Sequence, residues 1–83
     1  MDVQKEQYLR EAYKLYKDGK NKKGTLQANS MTMEDKSDFH FEKGFIEELE
    51  REGLLRIITN KENRIEFTIT EKGYQFVNEN LLQ

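Results

Sequence analysis

The chain has no cysteine among its 83 residues, so neither a disulfide framework nor a thiolate metal site can form. It also has no apolar run of membrane-spanning length, and its N-terminus, MDVQKEQYLREAY, lacks the apolar segment of a secretion signal. These absences predict a soluble, cytoplasmic protein. Hydrophobic residues make up 35% of the chain, which is enough for one domain with one small core.

Recognisable catalytic motifs are also missing. The sequence contains no nucleophile elbow, phosphate-binding glycine loop or pair of catalytic carboxylates. The single histidine, His40, stands between two phenylalanines, where packing at a helix start is the simplest role, and no group of ligands has metal-binding spacing. We therefore expect a protein that is not an enzyme and that has no cofactor, metal or small-molecule ligand.

A basic excess is absent as well, since 14 basic residues face 16 acidic ones and the net charge is -2. Dedicated nucleic-acid binders usually carry such an excess, because phosphate neutralisation supplies much of their affinity. Local clusters of charge therefore matter more than the total. The most basic segment is a lysine-rich loop near the first helix, which contains Lys17, Lys20, Lys22 and Lys23.

The first regular element is a helix over residues of about 4–18, where apolar residues recur every three or four positions. Glu6 and Arg10 have the spacing and order of a helical ion pair. Gly19 suits a left-handed position after the helix.

The segment 25–36 has no clear period. It is expected to be irregular or to form a short helical turn anchored by Met31 or Met33 and capped by Ser30 or Thr32, and residues 25–28 are also compatible with a short strand.

A second helix is predicted over residues of about 38–53. Phe41, Phe45 and Leu49 are spaced by four residues, and Ile46 widens this stripe, which we expect to face the core. The helix start has Ser37 or Asp38 as its candidate N-cap, and Gly53 is the candidate terminator.

A β-hairpin is predicted next, over residues of about 55–70. Polar and apolar residues alternate strictly after residue 63, so that Ile65, Phe67 and Ile69 point to one face. The polar residues 60–63 suit the hairpin loop, because asparagine tolerates unusual backbone angles.

The chain closes with a helix over residues of about 71–81. Thr70 is placed to cap it, and Gly73 in its first turn indicates close approach to another element. Its apolar line consists of Tyr74, Val77 and Leu81.

Two strings in this second half carry a family resemblance. The runs IEELEREGLLRI and FTITEKGYQFV, with a hairpin between them, resemble the C-terminal half of winged-helix domains of MarR-like, PadR-like and phage or plasmid proteins. The resemblance covers residues 39–81. It implies an α+β fold, a small winged helix-turn-helix domain of three or four helices with a C-terminal hairpin wing. The segment 25–36 departs from the pattern, since a second helix belongs there.

The same resemblance assigns functional surfaces. It makes 37–52 the recognition helix and 59–64 the wing. The residues that it implies at the DNA, together with the lysine-rich loop, are His40, Lys43, Lys61, Arg64, Lys20, Lys22 and Lys23.

Two functions follow as hypotheses. The first is a DNA-binding transcriptional regulator of bacterial or phage origin, acting as a dimer because one small module binds modestly. The second is a protein-interaction module that docks a basic partner on its acidic helix, residues 39–52, through Glu47, Glu50 and Arg51. The helix carries five glutamates, which weighs against the first hypothesis, since carboxylates near phosphates are repelled. Its N-terminal part, where base-reading residues concentrate, carries His40 and Lys43, which are compatible with DNA.

Overall fold

The computed structural model describes residues 1–19, 22–28 and 33–82, without the side chains of 33–36. The described part is an α+β structure in which three helices cover a three-stranded antiparallel sheet of order β1-β3-β2. The elements are α1 (Val3–Asp18), β1 (Gly24–Gln27), α2 (Met33–Arg51), β2 (Leu55–Lys61), β3 (Arg64–Ile69), α3 (Glu71–Phe76) and a π-helical turn (Val77–Leu81).

Helix α1 begins one residue before the predicted start. The side chain of Asp2 caps it by accepting a hydrogen bond from the Gln4 amide at 2.8 Å. The predicted ion pair is present, with Arg10 Nη2 2.8 Å from Glu6 Oε1. The prediction for Gly19 is wrong, because its φ of 177° is extended backbone and not left-handed.

The short strand with which residues 25–28 are compatible is present as β1, which pairs antiparallel with β3. A helical turn capped by Ser30 or Thr32 would begin outside the described residues. Helix α2 already includes Met33, about five residues before the predicted start. Ser37 and Asp38 therefore lie inside the helix and do not cap it, and both residues are exposed on its outer side.

The buried side of α2 also differs from the predicted stripe. Phe39, Ile46 and Leu49 are buried, whereas Phe41 is 66% exposed and Phe45 is half-buried. A helix advances about 100° per residue, so each step of four residues drifts by about 40° around the axis. A stripe built on repeated steps of four therefore turns away from the core within two turns.

The end of α2 and the start of α3 are joined by hydrogen bonds. Gly53 adopts a left-handed φ of 80°, as predicted for the terminator of α2. Thr70 caps α3 as predicted: its hydroxyl accepts from the Gly73 amide at 3.0 Å and donates to the Gly53 carbonyl at 2.6 Å. A Cβ on Gly73 would collide with the Leu54 carbonyl, which confirms the close approach.

The buried face of the hairpin is the predicted one, but its turn is shorter than predicted. Ile65, Phe67 and Ile69 are buried. Strands β2 and β3 are joined by the two residues Glu62 and Asn63, not by four, and no described residue other than glycine has a positive φ. A register shift between Ile57 and Thr59, a β-bulge, was not predicted and brings Thr59 opposite Glu66.

Helices α1 and α2 pack on one face of the sheet, and α3 packs against α1 beside it. The rings of Tyr8 on α1 and Phe67 on β3 meet edge to face at 6.1 Å. The last predicted helix is α-helical as far as Phe76 and continues as the π-helical turn, in which Val77 is fully buried. Its Tyr74 stacks on Tyr13 at 4.9 Å. The opposite face of the sheet carries no helix among the described residues.

Candidate nucleic-acid interface

The uncovered face of the sheet consists of the residues that alternate with the core. Across the strands, Thr25 and Thr59 lie opposite Glu66 from its two sides, and Gln27 and Lys61 lie opposite Arg64 in the same way. Arg56 pairs with Thr68 at the other end. We call this surface the cationic sheet face; its residues are Lys23, Thr25, Gln27, Arg56, Thr59, Lys61, Arg64, Glu66 and Thr68.

Four exposed cations and one carboxylate make up the charge of this face. Arg56 stands at one end of β2, and Lys61 closes the hairpin at the other end beside Arg64. Arg56 and Lys61 are five residue steps apart along β2, which is a distance of roughly 15 Å. The major groove of DNA is about 12 Å wide. Cations at the two ends of the face are therefore spaced to reach phosphates on both sides of a groove.

The single carboxylate, Glu66, is engaged by its neighbours. The Thr59 hydroxyl donates to it, and the cations of Arg64 and Lys23 lie near it, so that the pKa of Glu66 is lowered from its ordinary value of 4.5. Arg64 Nη2 lies 3.1 Å from Glu66 Oε2. Glu66 is therefore ionised at neutral pH and holds Arg64 on the face.

The lowered pKa predicts a specific pH dependence of stability. A carboxyl whose pKa is depressed on folding contributes stability above its unfolded pKa, and this contribution is lost as the pH falls through the folded value. Between about pH 6 and about pH 3, we expect the Tm of the wild type to fall further than that of Glu66→Gln. The measurement is thermal unfolding followed by circular dichroism. Parallel losses of Tm in the two proteins would show that Glu66 has no such role.

Three glutamates of α2, and Glu52 directly after it, have partners within the fold, although three of these four residues are exposed. Their partners belong to α1 and β2. These pairs are Glu42 with the Tyr8 hydroxyl (2.9 Å), Glu48 and Glu52 with Lys5 Nζ (3.3 and 2.6 Å), and Glu50 with the Ile57 amide (3.1 Å). The hydrogen bond from Lys5 to Glu52 is the main cause of the raised pKa of Lys5.

These pairs change the interpretation of the acidic helix. Because β2 is an edge strand, its outward amides need partners, and Glu50 supplies one to Ile57. Glu50, which the interaction hypothesis places in a docking face, therefore also has a structural contact with the edge of the sheet. Of the other two residues in that hypothesis, Glu47 is half-buried and Arg51 is exposed.

The structure separates the predicted DNA-contacting residues into two groups. Lys61 and Arg64 lie together on the cationic sheet face, and Lys23 joins them from the start of β1. The exposed Lys22 precedes Lys23, and Lys20 lies outside the described residues. His40 and Lys43, by contrast, belong to α2 in the helical layer.

His40 is exposed and Lys43 is half-buried. The ring of His40 lies 5.7 Å from that of Phe39, its neighbour in the sequence. Because α2 packs on the core side of the sheet, these two side chains do not share a surface with Lys61 and Arg64.

Sequence reasoning missed Arg56. This residue lies in a β-branched segment without strict alternation, and the bulge after it changes the phase of the strand. Its pairing with Thr68 places Arg56 on the outer face of the sheet. Assigning Arg56 to this face therefore required the register of the strands, which the sequence did not give.

No known protein family, curated protein or solved structure matches this chain. Within the described ranges, no helix is both long enough and apolar enough to cross a membrane. In the same part of the chain, no cluster of three acidic or histidine side chains is arranged to hold a metal ion.

Proposed function

We propose that this chain is a small DNA-binding protein of the winged-helix type, a transcriptional regulator, and that it holds duplex DNA through the cationic sheet face. One observation carries the proposal: four exposed cations share a sheet face with a single, already engaged carboxylate. Neutralisation of phosphates by such cations releases condensed counterions and drives association. The near-neutral total charge does not oppose this, because the acidic residues concentrate on α2.

The strand arrangement supports the winged-helix type. The hairpin of β2 and β3 follows the long helix α2. Its second strand, β3, pairs with the short strand β1, which lies between α1 and α2 in the sequence. The described residues contain one helix between β1 and β2, however, where a helix-turn-helix has two. A contact made chiefly by strands fits this difference, since several DNA-binding proteins read a groove with β-ribbons.

Neutral residues surround Glu66 at the centre of the face. Thr25 and Thr59 flank Glu66, and Gln27 lies beside Arg64. Threonine donates to or accepts from any base edge, and glutamine pairs with adenine. In this arrangement, cations at both ends hold the phosphates while hydroxyl and amide groups face the groove. Two copies of so small a module would be needed for tight specific binding.

The dependence of affinity on salt tests this function. If four phosphates are contacted, the logarithm of the binding constant falls against the logarithm of the salt concentration with a slope of about −3.6. Between about 50 mM and about 200 mM salt, the affinity for a labelled duplex should then fall roughly 100-fold. Fluorescence anisotropy gives both numbers. Absence of duplex binding at the lower salt concentration would exclude the function.

A second candidate is protein binding by α2. The observation that favours it is Phe41, which is 66% exposed and meets Phe45 edge to face at 5.2 Å. A basic partner would cover this aromatic pair and approach Glu47. If α2 binds a protein, a partner that is captured by the wild type in a pull-down should not be captured by Phe41→Ser or by Glu47→Lys. Retention of the partner by both variants would rule it out.

A further inference from the structure

A cleft lies between the C-terminal half of α1 and helix α3, away from the cationic sheet face. It has a volume of about 400 Å³, within the range of small-molecule sites. Tyr16 and Tyr74 form its aromatic walls, and Glu71, Gln75 and Asn78 supply polar groups. None of these residues has a role in the proposed DNA contact.

The aromatic walls have a geometry suited to a cation. The rings of Tyr16 and Tyr74 meet edge to face, inclined at 61° with centroids 5.2 Å apart, so the two ring surfaces that line the cleft stand at a steep angle, as an aromatic corner. The same stack already holds one ammonium, since Lys17 Nζ lies 5.3 Å from the ring centroid of Tyr13, which stacks on Tyr74. Ring faces of tyrosine attract cations through their negative quadrupole.

The charge of the cleft points the same way. Among the described residues that line it, Glu71 is the one with a charge, and its carboxylate is exposed. Asn78 is held in place, because its side-chain oxygen accepts a hydrogen bond of 2.7 Å from the Tyr13 hydroxyl. An aromatic corner with a carboxylate at its rim favours a ligand that is both apolar and positively charged.

From these features, we propose that the cleft between α1 and α3 binds a small organic cation, a substituted ammonium compound. Its alkyl groups contact the rings of Tyr16 and Tyr74, and its charge is paired with Glu71. This site is independent of DNA binding.

The test uses choline as the probe and its uncharged isostere 3,3-dimethyl-1-butanol as the matched control. The chain has four tyrosines and no tryptophan, so tyrosine fluorescence reports directly on a cluster that includes the cleft. We expect saturable binding of choline at constant ionic strength, at least roughly tenfold tighter than binding of the alcohol. Amide chemical shifts should change for residues 69–78.

Two variants locate the site. Tyr16→Leu and Glu71→Gln should each weaken choline binding roughly tenfold, because each removes one attractive group from the half-open cleft. Glu79→Gln serves as the control, since this carboxylate is exposed outside the lining of the cleft. Equal binding of choline and the alcohol, absence of choline binding, or shift changes confined to other residues would each overturn the proposal. The assay contains no DNA, so its outcome does not depend on the DNA-binding function.

Discussion

Gly73→Ala should destabilise the protein by about 3 kcal/mol, although alanine is the better helix former. A Cβ at this position would collide with the backbone carbonyl of Leu54 and lie 2.9 Å from the Ile69 side chain. A backbone carbonyl cannot rotate away as the end of a flexible side chain can. Helix α3 would have to move from the α2–β2 connection, and the Thr70 cap would be strained with it.

Gly44→Ala is the matched control for this substitution. Gly44 also lies inside a helix, but a Cβ there would meet no atom within 4 Å. Alanine should therefore stabilise the protein by about 0.5–1 kcal/mol and raise the Tm by about 4 °C. Urea unfolding of both variants measures the difference. Stabilisation by Gly73→Ala would contradict the close contact between α3 and the backbone of Leu54.

Phe67→Ala should cost about 4 kcal/mol of unfolding free energy. Phe67 is fully buried in the central strand, where its ring contacts Tyr8, and its loss leaves a cavity that flanking strands cannot close. For a domain of this size, such a loss is a large part of the total stability.

Phe41→Ala provides the comparison for Phe67→Ala. Because Phe41 is 66% exposed, its truncation should change stability by less than about 1 kcal/mol. Chemical unfolding followed by circular dichroism separates the two variants. A loss of stability from Phe41→Ala as large as that from Phe67→Ala would show that Phe41 belongs to the core, as the helical spacing predicted.

The sequence predicted the hairpin well because its signal is local. Strict alternation at Ile65, Phe67 and Ile69 defines one buried face, and a slip by one residue would expose all three. The roles of Thr70 and Gly53 were predicted for the same reason, since both act within a few residues of their own positions. The terminal roles predicted for Gly19, Ser37 and Asp38, by contrast, were wrong.

Features that depend on tertiary contacts were not accessible in the same way. The buried side of α2 depends on where α1 and the sheet lie, so the phase of its apolar stripe was wrong for Phe41. The glutamates of α2 looked like a free acidic surface, although Lys5, Tyr8 and the edge of β2 bind most of them.

The candidate interface was predicted in part. Lys61 and Arg64 were identified because they flank the hairpin turn. Their association with Arg56 and Lys23 required the register of two strand pairs, and the bulge shifts that register in β2. Cations that are far apart in the sequence thus became one surface through the order β1-β3-β2.

The most direct test of the cationic sheet face compares two charge reversals of equal size. Lys61→Glu with Arg64→Glu changes the sheet face, whereas Lys14→Glu with Arg51→Glu makes the same change of net charge on exposed positions of the helical layer. Duplex affinity is measured by fluorescence anisotropy at about 50 mM salt. We predict a loss of roughly 100-fold for the first pair and less than about threefold for the second. Equal losses from the two pairs, or no loss from the first, would contradict binding through the sheet.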